Sequence, residues 1–172
     1  MGFSVSWLAV KSDDLDKLFK IADISSTTKT DDLLVLGFSD KDGWCFLEAD
    51  KSNHPISKNS LSRISVLGET IACSVNECVM VSVVECWNNG KQTWSIAHDA
   101  QEGMFDLTVK GGFLPDQYEN IKNFWVSQQN AEGGDDADVD FIFEIPVQVA
   151  KHICGYKHDE DFVSSSLVYY LL

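Results

Sequence analysis

The residues of this chain best equipped for chemistry are histidines beside carboxylates. His98-Asp99 closes the β-branched-rich stretch from Glu69 to Asp99, and Glu85 lies upstream within it. An imidazole near carboxylates can act as a general base or acid once its pKa is suitably tuned. A second group, His158-Asp159-Glu160-Asp161, follows His152 and Cys154 and sets four potential ligands in a row. Adjacent residues of an extended segment point to opposite sides, so this run supplies one or two metal ligands and not a full shell. A charged surface turn asks less of it. The third group, Asp136-Ala137-Asp138-Val139-Asp140, opens like a calcium loop. Such a loop needs Gly next and a bidentate Glu at its twelfth position, where Phe141 and Val147 stand. A solvated acidic turn is therefore expected, and no metal or other cofactor is assigned.

A nucleophile in a recognisable setting is missing from the sequence pattern. There is no G-x-S-x-G elbow and no cysteine within a catalytic signature. Gly111-Gly112 and Gly133-Gly134 have neither dinucleotide-binding spacing nor a P-loop Lys-Ser/Thr, and they read as punctuation. A structural histidine at a strand end is accordingly the plainer reading of His98. Among the tryptophans, Trp87 beside the Asn89-Gly90 turn is the one expected to be exposed, where it could anchor a protein interface.

The elements that must position these groups follow from periodicity. Asn89-Gly90 between two alternating runs is the strongest short-range hairpin signal, because a type I′ turn needs positive φ at both central residues. A two-residue loop with regular pairing sets Trp87 opposite Gln92, Glu85 opposite Trp94 and Val81 opposite His98. That register puts Glu85 and His98 on one face, with Ser82 and Cys86 on the other. Thr70 to Val75 makes a third meander strand. Upstream, Phe3 to Val10 reads as a strand with Trp7 inward, and Ser12 stands at a helix N-cap position before Leu15, Leu18, Phe19 and Ala22. Ser25 to Thr30 reads as a loop. Leu33 to Phe38 and Trp44 to Glu48 form a hairpin around the five-residue Ser39-to-Gly43 connection. A loop through His54-Pro55 then precedes a helix from about Ser57 or Asn59 to Leu67.

Phe3 to Val75 thus has the β-α-β-β-α-β order of ferredoxin-like folds, which the meander extends. Downstream come a strand near Phe105 to Val109, the longest helix from Pro115 to about Ala131, a strand from Phe141 to Ile145 and a helix begun by Pro146. Phe162 to Leu172 is apolar enough to pack as a strand or helix. The expected fold is a single α+β domain with a largely antiparallel sheet and helices mainly on one face.

The chain has 172 residues and a formal net charge of −14, with a pI near 4.4. Such a balance argues against nucleic-acid phosphates and anionic membranes as partners, since both recruit Lys and Arg. It permits a basic protein partner. Five cysteines, an odd count without Cys-x-x-Cys, read as buried free thiols in a reducing compartment. With no signal-peptide pattern and no long apolar run, a cytoplasmic setting is expected. Oligomeric state has no signature.

Four segments taken together, Gly2 to Val10, Cys78 to Ser82, Asp138 to Pro146 and Gly155 to Asp159, resemble a group of small bacterial proteins without an established activity. The resemblance implies a bacterial cytoplasmic setting and draws attention to His158 and Asp159. It carries no catalytic residues. The leading functional expectation is a non-enzymatic binding protein whose acidic surface meets a basic partner, as an immunity-type inhibitor of a basic toxin would. The alternative is a small hydrolase-like or metal-dependent enzyme using His98 and Asp99 with His158 and Asp159. It requires the two histidines to converge in one pocket.

Overall fold

In the computed structural model the described residues are 2, 4–12, 14–22, 34–39, 43–50, 56–160 and 166–171. Their strands are β1 (Ser4–Lys11), β2 (Leu34–Ser39), β3 (Trp44–Asp50), β4 (Thr70–Asn76), β5 (Val81–Asn88), β6 (Lys91–Asp99), β7 (Thr108–Gly111) and β8 (Ser166–Leu171). The helices are α1 (Leu15–Ile21), α2 (Lys58–Ile64), α3 (Tyr118–Ala131) and α4 (Glu144–Cys154). The strands form one antiparallel sheet in the order β7-β6-β5-β4-β1-β3-β2-β8. At its centre, β4-β1-β3-β2 is the arrangement that a β-α-β-β-α-β unit adopts in a ferredoxin-like fold. The meander adds β5, β6 and β7 at one side of this unit, and β8 completes the other. The α+β class and the largely antiparallel sheet are as the sequence predicts. The expected loops at 25–30 and 54–55, the hairpin connection at 40–42 and Asp161 lie outside the described residues.

Local signals place the elements with small shifts. Asp14 caps α1, its Oδ1 accepting from Lys17 N at 2.9 Å, while Ser12 Oγ accepts from Asp14 N at 3.2 Å. The cap thus moves two residues beyond the expected serine. Ser57 caps α2 by accepting from Ser60 N at 3.2 Å. Gly155, with φ 78°, closes α4 in the left-handed conformation that glycine tolerates best. The stretch expected as a strand from Phe141 to Ile145 is instead a turn running into α4. Ile142 and Phe143 are both buried there and Phe141 only partly, so the apparent alternation of Phe141, Phe143 and Ile145 does not carry through.

The helices do not gather on one face, which corrects that expectation. One core joins Leu8, Val10, Leu47 and Ala72 of the sheet to Leu18 and Phe19 of α1 and Leu61 and Ile64 of α2. The other joins Trp7, Phe46, Cys73, Val84 and Ile96 to Tyr118 of α3 and to Ile145, Val149 and Ala150 of α4. Covering both faces explains β1, where Ser6, Trp7, Leu8, Ala9 and Val10 are all buried and the period-two pattern fades.

The hairpin turn forms as predicted, with Asn89 at φ 48° and Gly90 at φ 80°. It is also tied down: Ser65 O accepts from Asn89 N, and Ser65 Oγ accepts from Gly90 N, both at 3.0 Å. The register beyond the turn differs from the expected one. Trp87 pairs with Gln92, yet Cys86 pairs with Trp94, leaving Thr93 as an extra residue. Thr93 Oγ1 donates to Cys86 O at 3.1 Å across this bulge. From there on every pair is displaced by one, so Ser82 faces His98, Glu85 faces Ser95 and Val81 faces Asp99.

Candidate functional site

The bulge decides which side chains meet. Because directly paired residues share a face, Ser82 and His98 lie together on the α3–α4 side, and Glu85 belongs to the opposite side. There Glu85 Oε2 accepts from Trp87 Nε1 at 3.2 Å and its Oε1 accepts from Gln92 Nε2 at 2.8 Å. The expected pairing of Glu85 with His98 on one face is thus corrected. Trp87 is corrected as well: it is 7% exposed and belongs to the α1–α2 core. A turn-adjacent tryptophan would be exposed in an uncovered hairpin, but α2 packs on this face and its Ser62 and the following Ser65 hold the turn against it. Asp99 serves the chain locally, its Oδ1 accepting from Gln101 N at 2.9 Å.

His98 is fully buried, and both of its ring nitrogens are occupied. Nδ1 lies 2.6 Å from Asp106 O, and Nε2 lies 2.8 Å from Asp140 Oδ2. A carbonyl and a carboxylate are both acceptors, so an imidazolium that donates twice satisfies both contacts. Burial alone would lower the imidazole pKa; the hydrogen bonds to Asp140 and Asp106 and their charge outweigh it and raise it above the ordinary value. The other oxygen of Asp140 accepts from Phe143 N at 3.1 Å, just before α4 begins. Ser82 Oγ donates to Phe143 O at 2.7 Å. A serine, a histidine and an aspartate therefore sit on one face without forming a relay. The serine proton goes to a backbone carbonyl, and the imidazole nitrogen that would take it faces Asp140.

Gln129 completes this buried network from α3. Its Nε2 donates to Gly134 O at 2.9 Å and Val139 O at 3.1 Å, and its Oε1 accepts from Phe141 N at 2.7 Å. The α3–α4 connection is thereby held open at a fixed shape. Within it Asp136 and Asp138 are exposed, while Asp140 turns inward to His98. The three carboxylates resembling the start of a calcium loop do not share a centre. No cluster of three or more His, Cys, Asp or Glu suited to a metal ion occurs among the described residues.

The second histidine belongs to another cluster. Tyr156 packs edge-on against Trp7 at 5.2 Å between ring centroids and beside Phe46 at 5.4 Å, and its hydroxyl donates to Glu48 of β3. Burial first, then the Glu48 charge and bond, push that hydroxyl's pKa up. Lys157 is almost buried and bonds Glu144 at 3.2 Å and Asp159 at 3.1 Å. These contacts anchor the segment after α4 to the head of the same helix. His158 has its pKa lowered, by burial first; the Lys157 charge adds to that, and the charges of Asp159, Glu77 and Glu144 oppose it. None of those groups is among the partners of His98. Nor does either histidine line the groove of about 570 Å³ between α3 and α4.

The sequence reading missed Ser82, Asp106, Gln129, Asp140 as a histidine partner, and the Glu48–Tyr156 and Glu144–Lys157 pairs. The bulge hid the first. Separations of up to 108 residues hid the rest, as for Glu48 and Tyr156. No family model matches this chain, and no curated protein or solved structure matches it. Among the described residues, no helix is long and apolar enough to cross a membrane.

Proposed function

We propose that this chain is a non-enzymatic binding protein whose acidic surface engages a basic protein partner, in the manner of an immunity-type inhibitor. The observation that carries the reading is the acidic lobe following α3. Glu132, Asp135, Asp136 and Asp138 are all exposed within seven residues, and the last turn of α3 has no basic residue. A helix C-terminus already carries partial negative charge, and four exposed carboxylates following it concentrate a negative field there. A partner bringing Lys or Arg would neutralise it. The net charge of −14 extends the same field over the chain.

The buried histidine supports binding over catalysis. Acid–base chemistry at His98 would need a nitrogen within reach of a substrate proton, and both are consumed in holding the α3–α4 connection and the β6–β7 loop. The test is capture of a partner from native cell extract by the wild-type chain and by a triple variant, Asp135→Asn, Asp136→Asn and Asp138→Asn. The expected result is a basic partner that the wild type retains at low salt and releases as salt approaches 1 M, where screening acts within about 3 Å. Equal capture by the triple variant, or binding indifferent to salt, overturns the reading.

A further inference from the structure

The groove between α3 and α4 has a charge character opposite to that of the molecule around it. On α3 it is lined by Ile121, Phe124 and Trp125 with Asn120 at one end, and on α4 by Gln148, Lys151 and His152. These are i, i+1, i+4, i+5 positions of one helix and i, i+3, i+4 of the other, so each helix offers one continuous stripe. The lining holds a lysine and a histidine and no carboxylate, although the chain has 27 acidic residues against 13 Lys and Arg.

Its apolar part is organised for a flat ligand. Phe124 stands edge-on to Trp125 at 5.1 Å between centroids, and Trp125 stacks on Phe141 at 6.1 Å and 20°. Trp125 is thus backed by the core, whereas Phe124 is 55% exposed. A half-exposed aromatic beside a supported one leaves apolar surface in water that a stacked ring would cover. The volume of about 570 Å³ is within the range of roughly 300–1,000 Å³ usual for small-molecule sites. The cation at the rim is already oriented: Lys151 Nζ lies 2.7 Å from Glu160 Oε1, with both side chains partly in solvent. A ligand anion can share that ammonium or replace Glu160 on it.

We infer that this groove binds a small aromatic anion, its ring against Phe124 and Trp125 and its carboxylate or sulfonate on Lys151 and His152. Complementary charge selects the ligand, since the lining itself carries no carboxylate and the one beside it, Glu160, is the group that a ligand anion would displace from Lys151. The inference is independent of the acidic lobe and of any protein partner.

The probe is 1-anilinonaphthalene-8-sulfonate, read by its own fluorescence and by energy transfer from tryptophan, with uncharged N-phenyl-1-naphthylamine as the comparison. One saturable site is expected for the sulfonate. Lys151→Gln with His152→Gln should weaken it about tenfold, the scale of one charge-assisted contact. Phe124→Ser should weaken both probes, and the uncharged probe should be insensitive to the Lys151 and His152 changes. All three side chains are at least partly exposed, so the variants should keep the wild-type circular dichroism and melting temperature. Absence of a saturable site, sulfonate binding unchanged in the double variant, or equal affinity for both probes overturns the inference.

Discussion

The two faces of the sheet are packed by different means. On the α1–α2 face an apolar core, with Leu8, Leu18, Leu47, Leu61 and Ile64 fully buried, is bordered by small buried hydroxyls such as Ser65 and Thr70 that bond to nearby backbone. On the α3–α4 face an apolar core of similar kind is crossed by His98, Ser82 and Gln129, all buried, and bordered by Lys157 and Tyr156. Apolar packing is tolerant: many side-chain sets of similar volume fill the same space. Buried polar groups are not, because each must find its partner or forfeit its desolvation cost. On the α3–α4 face a histidine, a carboxylate and an amide fix the long loops after α3 and β6, whereas on the other face small hydroxyls fix only the hairpin turn. The α3–α4 face also carries the acidic lobe and the groove.

This contrast is open to direct attack, most severely at Asp140. Asp140→Ala leaves an imidazolium buried without its counter-ion, and the expected loss is roughly 3–5 kcal/mol in urea unfolding. Leu61→Ala on the other face should cost a comparable amount, roughly 2–5 kcal/mol, from the cavity alone. The two are told apart by pairing each with His98→Gln. The Asp140 and His98 changes should be strongly non-additive, and the Leu61 and His98 changes additive within a few tenths of a kcal/mol. Additivity in both cases would erase the distinction between the faces.

Next in size is Gln129→Ala, which strips partners from Gly134 O, Val139 O and Phe141 N at once. A loss of roughly 1–3 kcal/mol is expected. Amide exchange should quicken between Gly133 and Phe143 and stay unchanged in α1 and α2. Uniform quickening would mean that the connection has no separate identity.

The pH dependence of the two faces should differ in sign-specific fashion. The pKa of His98 is raised on folding, so its pair stabilises fully below the unfolded value of about 6.5 and loses that contribution as pH rises through the folded value. The stability gap between wild type and His98→Gln should then be wider near pH 6 than near pH 9, whereas the Leu61→Ala gap should stay level. A His98 gap that widens with rising pH would contradict the doubly donating imidazolium. Smallest of all is Lys157→Met. Its partners Glu144 and Asp159 are partly in solvent, and a change within about 1 kcal/mol in thermal melting is expected.

Much of the α1–α2 face was legible in the sequence because its signals are local. The β-α-β-β-α-β order, the Asn89-Gly90 turn and the start of the second helix near Ser57 each depend on residues within a few positions of one another. The candidate site was less legible. Whether Ser82 or Val81 faces His98 turns on one extra residue, Thr93, and nothing in the run Lys91 to Asp99 marks it apart from its alternation. Asp140 was read with Asp136 and Asp138 because they are neighbours in the chain, while its partner His98 is 42 residues away. The helices were expected on one face because β-strand alternation distinguishes inside from outside only when one side is wet, and β1 has no wet side.

The place of β8 sets an order of events during synthesis. Strand β2 pairs on one side with β3, which follows it closely, and on the other with β8, where Leu34 meets Leu171 and Ser39 meets Ser166. A nascent chain can assemble the four-stranded central unit once β4 has emerged, but the outer backbone of β2 stays unpaired until residues 166–171 leave the ribosome. Until then β2 itself is the strand edge, a feature prone to recruit a neighbouring chain, and only afterwards does β8 take that outer place. Truncation before β8 should therefore tell first on yield of monodisperse protein.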